Sequence, residues 1–219
     1  MNFQAHLKNM LEMMQEDIVV FFVGGIVVEL LCSITLGVLS GPLVGGYMVV
    51  MILWLKREKR AEFNDLFAGL KRFGDLFPFF FLMLLVMVGF VLLVIPGIIM
   101  TVWWIYVLPL MAHKGLSLGE AMKLSKNKVM EKGFFLHLVF LLMISLVPVV
   151  ILTMAAAVVP PLAVLQYFLF PLQCACLASL YLEQVENFDV ETRQGASGAG
   201  GRFTSSPPPV PPPMPPPAP

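Results

Sequence analysis

Charge is what this chain of 219 residues has least of. Asp, Glu, Lys and Arg make up 13% of it, against roughly a quarter in soluble globular domains, while 58% is hydrophobic. That balance excludes an ordinary water-soluble domain and makes lipid the solvent. A formal net charge of zero leaves no global field to attract nucleic acid, so no nucleic-acid partner is expected. Cysteine is scarce too. Cys32, Cys174 and Cys176 all lie in apolar runs, and an odd count with no extramembrane member excludes a disulfide framework. They read as packing residues.

Patterns that carry chemistry are equally sparse. His113 and His137 have no Cys, Asp or second His at ligand spacing, and Cys174 and Cys176 point their thiols to different helix faces. No metal and no cofactor are therefore expected. No glycine-rich phosphate loop opens a helix, and no two membrane-facing carboxylates could divide acid and base roles. Gly195-Ala196-Ser197-Gly198 superficially matches an intramembrane serine protease motif, but it sits in a glycine-rich linker without an oriented histidine. The chain reads as non-enzymatic, with no catalytic residue.

What is present is three long apolar blocks. Between Ile18 and Leu55 the only charge is Glu29, and between Phe77 and Ala112, and again between Phe134 and Leu182, there is none. A helix crossing ~30 Å of hydrocarbon needs roughly 20 residues, so each block holds two spans. Gly41-Pro42, Pro96-Gly97 and Pro160-Pro161 lie near the middle of the blocks, where proline removes a donor and glycine permits positive φ; they are read as hairpin tips. The spacing predicts an all-α polytopic membrane bundle of about six short transmembrane helices as three hairpins, with spans near 18–40, 43–55, 77–95, 97–112, 134–159 and 161–182. The second and fourth are short, and Trp103 and Trp104 fall mid-span in the fourth, which keeps open hairpins that enter without crossing.

Lys56, Arg57, Lys59, Arg60, Lys71 and Arg72 occupy one loop, and Lys114, Lys123, Lys126, Lys128 and Lys132 the next. No tip carries a cation, so both loops and both termini are expected in the cytoplasm. Glu12, Glu16 and Asp17 precede the first apolar run without a signal-peptide start, and an uncleaved anchor is expected.

Between the spans lie candidate surface helices. Phe63, Leu66, Phe67, Leu70, Phe73 and Phe77 recur at helical spacing. Ser117 and Glu120 form a capping box before Leu118, Met122, Ser125 and Val129 on one face, with lysines opposite. Phe3, Leu7, Met10, Leu11 and Met14 form a weaker stripe over residues 1–17. Asp65 aligns with Glu120, and Phe79-Phe80 with Phe134-Phe135, at an offset of about 55 residues, a weak internal repeat. Lys56, Arg57, Lys59, Arg60, Lys71, Arg72, Lys123 and Lys126 are the candidates for contact with anionic membrane lipids. After the membrane domain of residues 18–182, the segment 183–219 is polar, then Gly- and Pro-rich, and is expected to be a disordered cytoplasmic tail. Its Pro211, Pro212 and Pro213 are candidates for binding a protein partner, because a preformed polyproline II helix loses little entropy on docking.

Glu29 is the single carboxylate inside a span, where a charge costs about 2.5–3.5 kcal/mol on insertion scales. Gly25, Glu29, Ser33 and Gly37 recur every fourth residue, which puts the glutamate on a small-residue packing face, within reach of Gln166 or Gln173. A neutral structural contact and an ion or proton site both remain open. The leading functional reading is a scaffold, assembly or regulatory partner acting through its cytoplasmic face. The alternative is a small transporter or channel-like protein using Glu29, and the third a membrane component of a lipid-metabolism system.

Gly41-Pro42-Leu43 with Gly45-Gly46-Tyr47, Asp65-Leu66-Phe67-Ala68-Gly69-Leu70, Ile95-Pro96-Gly97-Ile98, and Ser117 followed by Glu120-Ala121 and Ser125 also form an ordered set over roughly Gly24 to Leu182. In this order they resemble the bacterial six-helix membrane proteins grouped with YciC-like and glycerophosphodiesterase-membrane-domain-like sequences. The resemblance implies a six-helix fold in a bacterial inner membrane. It supplies no catalytic residue and does not extend to the proline-rich tail.

Overall fold

The computed structural model describes residues 3–186, among which all regular structure is helical. Helix α1 (Phe3–Glu16) turns by 105° into α2 (Val19–Ile34), and α3 (Ser40–Leu55) returns. Helix α4 (Phe63–Leu76) begins as a 3-10 helix over Phe63–Arg72 and bends by 78° into α5 (Pro78–Leu92). Then follow α6 (Val94–Trp103), α7 (Val107–Lys114), α8 (Leu118–Lys132), α9 (Phe134–Val158) and α10 (Pro160–Val185). The segment 187–219, with Pro211, Pro212 and Pro213, lies outside the described residues.

The three breaker dipeptides do not form the chain reversals themselves. Each sits in the first turn of the returning helix. The first reversal is the turn Thr35–Leu39, where Leu36 and Gly37 take φ of 51° and 79°, and Gly41-Pro42 follow inside α3. The second is the single extended residue Leu93, ahead of Pro96-Gly97, and the third is Val159, ahead of Pro160-Pro161. The reason is that the first-turn N–H groups of a helix have no intrahelical acceptor, so proline loses nothing there and its fixed φ favours starting the helix.

Among the described residues three helices are long and apolar enough to cross a membrane: the stretch Val94–Lys114 formed by α6 and α7, then α9 and α10. Counting the bent pairs α1–α2 and α4–α5 as one span each raises this to five. Helix α3 is shorter and lies inside the bundle, with Tyr47, Met51, Ile52, Trp54 and Leu55 buried, so it has no lipid-facing stripe. Its near-uniform apolarity, read from sequence as a span, equally fits a helix surrounded by protein.

Helices α3 and α4 approach backbone to backbone. A Cβ on Gly69 would stand 2.0 Å from the Pro42 carbonyl oxygen, and one on Gly46 would stand 2.5 Å from that of Leu66. Gly41 lies equally close under the Leu76 carbonyl. Tyr47 fixes the other side of α3 by donating its hydroxyl to the Phe21 carbonyl. The α4 stripe is therefore only partly as expected: Leu66 is buried and Phe67 packs against the core, whereas Phe63, Leu70 and Phe73 remain exposed on the outer side.

The buried core gathers at the end of the bundle where α3, α7 and α10 finish, and the opposite end is apolar and uncovered. Leu36 is 87% exposed, Val91 78% and Val158 82%, each beside one of the three reversals. So large a set of bare aliphatic side chains on every reversal marks a surface made for lipid.

Candidate functional site

The polar groups of the fold converge on the base, around the C-terminal half of α10. Helices α3, α7 and α10 end together, which brings Lys56, His113, Lys114 and Glu186 into one cluster. Lys56 Nζ lies 2.6 Å from Glu186 Oε2, and Lys114 Nζ lies 3.4 Å from Oε1. His113 Nδ1 stands 3.5 Å from the same Oε1 and 3.2 Å from the Tyr181 hydroxyl. Gly115, at φ 68°, closes α7 with a left-handed cap, the conformation that lets the chain leave just after the cluster. Burial alone would raise the Glu186 pKa, but the bond from Lys56, its charge, and those of His113 and Lys114 bring it below the ordinary carboxylate value.

A second cluster docks α1 on α10. His6 is fully buried, with Nε2 2.7 Å from Glu183 Oε2 and Nδ1 2.9 Å from Ser179 Oγ. The buried imidazole thus stands between the Ser179 hydroxyl and the Glu183 carboxylate, joining α1 to α10 at two points. Asn9 donates to the same Ser179 oxygen at 3.4 Å. The inner face of α1 is thus His6, Asn9, Met10, Met13 and Met14, and Leu11 is exposed. Of the expected stripe, Met10 and Met14 are buried and Leu7 packs against the core, whereas Leu11 is turned out and His6 and Asn9 are turned in, because α10 supplies polar partners there.

The third cluster repairs the break between α6 and α7. Residues Trp104–Tyr106 leave the helical ladder, and Ser125 from α8 donates to the Trp103 carbonyl at 2.7 Å and accepts from the Tyr106 N–H at 3.2 Å. Tyr106 also contacts His137, whose Nε2 lies 2.8 Å from its hydroxyl. Helix α8 faces inward through Ala121, Ser125 and Val129, and carries its capping box with the Ser117 N–H on Glu120 Oε2 at 3.1 Å. Trp103, at the end of α6 beside the break, packs under α8, where Lys126 Nζ sits 4.4 Å from its ring centroid. Ser125→Ala would strand a buried carbonyl and a buried N–H, and is expected to lower stability by about 1–3 kcal/mol. Thermal unfolding of the detergent-solubilised protein checks this; an unchanged midpoint would show that the break needs no repair.

The intramembrane polar residues read from sequence are not brought together. Gln166 donates to Thr153 Oγ1 at 2.8 Å and Gln173 to the Ile144 carbonyl at 3.5 Å, both across the α9–α10 pair. Glu29 Oε2 is buried with no hydrogen-bond partner among the described residues. Its small-residue face is also incomplete. Gly25 packs on Tyr47 and Pro171, but Ser33 is exposed and Gly37 belongs to the turn, because α2 ends at Ile34.

Several basic candidates are committed inside the chain. Lys59 Nζ pairs with Asp65 at 2.7 Å, and Arg72 donates to the Ala112 carbonyl at 2.8 Å, while Arg57 caps α3 with φ 57°. Arg60, Lys71 and Lys123 face outward. The residues that sequence reasoning missed are His6, Ser179, Glu183 and Glu186. The available signal was a pair of acids three residues apart at the end of the last apolar run, opposite Lys56 and Lys114.

Base and tips together define a protein that is all-helical among the described residues, with an uncovered apolar end and three long apolar helices that fit a membrane. Compared with protein-family models, curated proteins and solved structures, the chain matches none of them.

Proposed function

We propose that the protein sits in a bacterial inner membrane as six apolar helices in three hairpins, base and termini cytoplasmic, and acts without catalysis as a scaffold, assembly or regulatory partner. One observation carries this. The ionisable groups gathered at the base are bonded to one another, Lys56 and Lys114 to Glu186 and His6 to Glu183, which makes the base a closed platform, and Arg60, Lys71 and Lys123 project from it. The lysine-rich and arginine-rich segments then face the compartment that retains positive charge. Membrane placement is tested with single cysteines at Gly37, Val94 and Pro160 and an impermeant thiol reagent. Labelling from the periplasmic side is expected at all three; protection of all three would replace crossing hairpins with shallow ones.

Partner binding is tested by crosslinking capture from native membranes with the full chain, a version ending before Gly195, and one with alanine at Pro211, Pro212 and Pro213. Truncation is expected to leave an inserted bundle and to reduce capture, and the alanine variant to reduce capture without changing abundance. The second reading, a transporter, is favoured by the unpartnered oxygen of Glu29. Under the scaffold reading, Glu29→Gln leaves insertion and partner capture intact. Tail-independent solute or proton flux in purified vesicles, abolished by Glu29→Gln, would overturn it.

A further inference from the structure

The close approach of α3 and α4 leaves a cavity of about 150 Å³ beside their contact. Its floor is apolar, with Val49 and Leu53 from α3 and Ala68 from α4, and three cations line it: Lys59, Arg60 and Arg72. Asp65 is the one acid in the lining, and Lys59 already neutralises it at 2.7 Å. Arg72 is anchored by the Ala112 carbonyl and paired with Asp75 at 3.4 Å, so its position is fixed by the fold and its charge is answered there. Arg60 is exposed and has no ion pair among the described residues, which leaves a full positive charge at the mouth.

We infer that this cavity holds one anionic phospholipid, its phosphate on Arg60 with Lys59 beside it and the first methylenes of an acyl chain on Val49, Leu53 and Ala68. The inference rests on the membrane placement proposed above and gives the basic loop a specific ligand. Charge complementarity selects the headgroup, because Arg60 leaves the lining net positive after Asp65 cancels Lys59 and Asp75 cancels Arg72. Size selects the depth of entry, since a cavity near 150 Å³ admits about a benzene ring or a few methylenes and not a whole lipid. The position selects the class. Phe63, Leu70 and Phe73 are exposed on the outer side of α4, as on a helix lying at the headgroup boundary, where an acyl chain and a phosphate are available together. The glycines complete the account. Gly46 and Gly69 allow the two backbones to touch, and the cavity opens alongside that contact.

The test uses the full-length protein purified in detergent, given equal amounts of phosphatidylglycerol and phosphatidylcholine, with lipid retention read by native mass spectrometry. The wild type is expected to retain one phosphatidylglycerol in preference to phosphatidylcholine. Arg60→Ala removes one surface cation and should reduce retention about fivefold. Ala68→Leu fills the floor from an exposed position that the fold tolerates, and should reduce retention comparably while the melting temperature stays unchanged. Lys132→Ala, on α8 and away from the cavity, should change neither. Equal retention of the two lipids, equal loss in Lys132→Ala and Arg60→Ala, or full retention in Ala68→Leu would each overturn the site. Failure of the wild type to insert into lipid nanodiscs would instead overturn the membrane placement, and the site with it.

Discussion

Gly69→Ala is expected to undock α4 from α3 and to lower the stability of the protein by about 3–4 kcal/mol, a large part of the margin of an ordinary domain. The added methyl group would lie 2.0 Å from the Pro42 carbonyl oxygen and 2.9 Å from the Gly46 nitrogen. Both neighbours are backbone, so no rotamer change relieves the clash and the helices must separate. Separation then uncovers Leu66 and Leu76, which are buried in this interface, and loosens Arg72 from the end of α7. Gly74→Ala is the internal control, since a Cβ there meets nothing within 4 Å. It should be neutral or slightly stabilising through helix propensity. Melting of the two variants in the same detergent reads the difference, and a Gly69→Ala midpoint equal to the wild type would mean that α3 and α4 do not touch at their backbones.

The second large effect is expected at Glu186. Its removal by Glu186→Ala leaves Lys56 and Lys114 facing one another across the end of α10 without the carboxylate that joins them. Breaking a fully buried pair costs about 3–5 kcal/mol; with Glu186 14% and Lys56 18% exposed, about 2 kcal/mol is expected here. The same carboxyl sets a pH dependence. Its pKa is below the ordinary value of 4.5, since Lys56, His113 and Lys114 more than offset the rise that burial alone would give. The stabilisation it contributes is therefore complete above pH 4.5 and disappears as the pH falls through the lower folded-state value. Between pH 6 and 8 this group should add no slope. Glu186→Gln should remove the acidic step, and an unchanged acid melting profile would show that the base cluster does not stabilise the fold.

The residues that identified the motifs in the sequence are the ones that make the closest contacts, although their roles were not visible there. Gly41 and Gly46 stood in the motif around Pro42 and Gly69 in the Asp65–Leu70 motif, and the fold shows each beneath a backbone carbonyl or nitrogen of another helix. Ser125 read as one residue of an amphipathic face, and the fold gives it both open backbone groups of the α6–α7 break. The capping box of Ser117 and Glu120 was fully legible, because both partners lie within one helical turn. His6 with Ser179 and Glu183, and Lys56 with Glu186, were not legible, since each joins chain segments far apart in sequence. The expected meeting of Glu29 with Gln166 or Gln173 failed for the same reason: helical spacing says which residues share a face, not which faces meet.

From sequence alone, the long uncharged runs fix the helical class and the apolar surface, because a backbone among apolar side chains must satisfy its hydrogen bonds within each segment. Local chemistry also fixes the start of α8, since the cap of Ser117 and Glu120 acts over a single turn, whereas the prolines read as hairpin tips lie in the first turns of α3, α6 and α10. Only the tertiary structure decides that α3 is enclosed by protein, that α1 turns His6 inward, and that the ends of α3, α7 and α10 share one carboxylate. Those outcomes depend on which helices lie side by side, and the choice is made by glycine contacts and partly buried ion pairs whose partners are distant along the chain. Apolar composition is nearly the same on helices that face lipid and helices that face protein, so it carries no record of that choice.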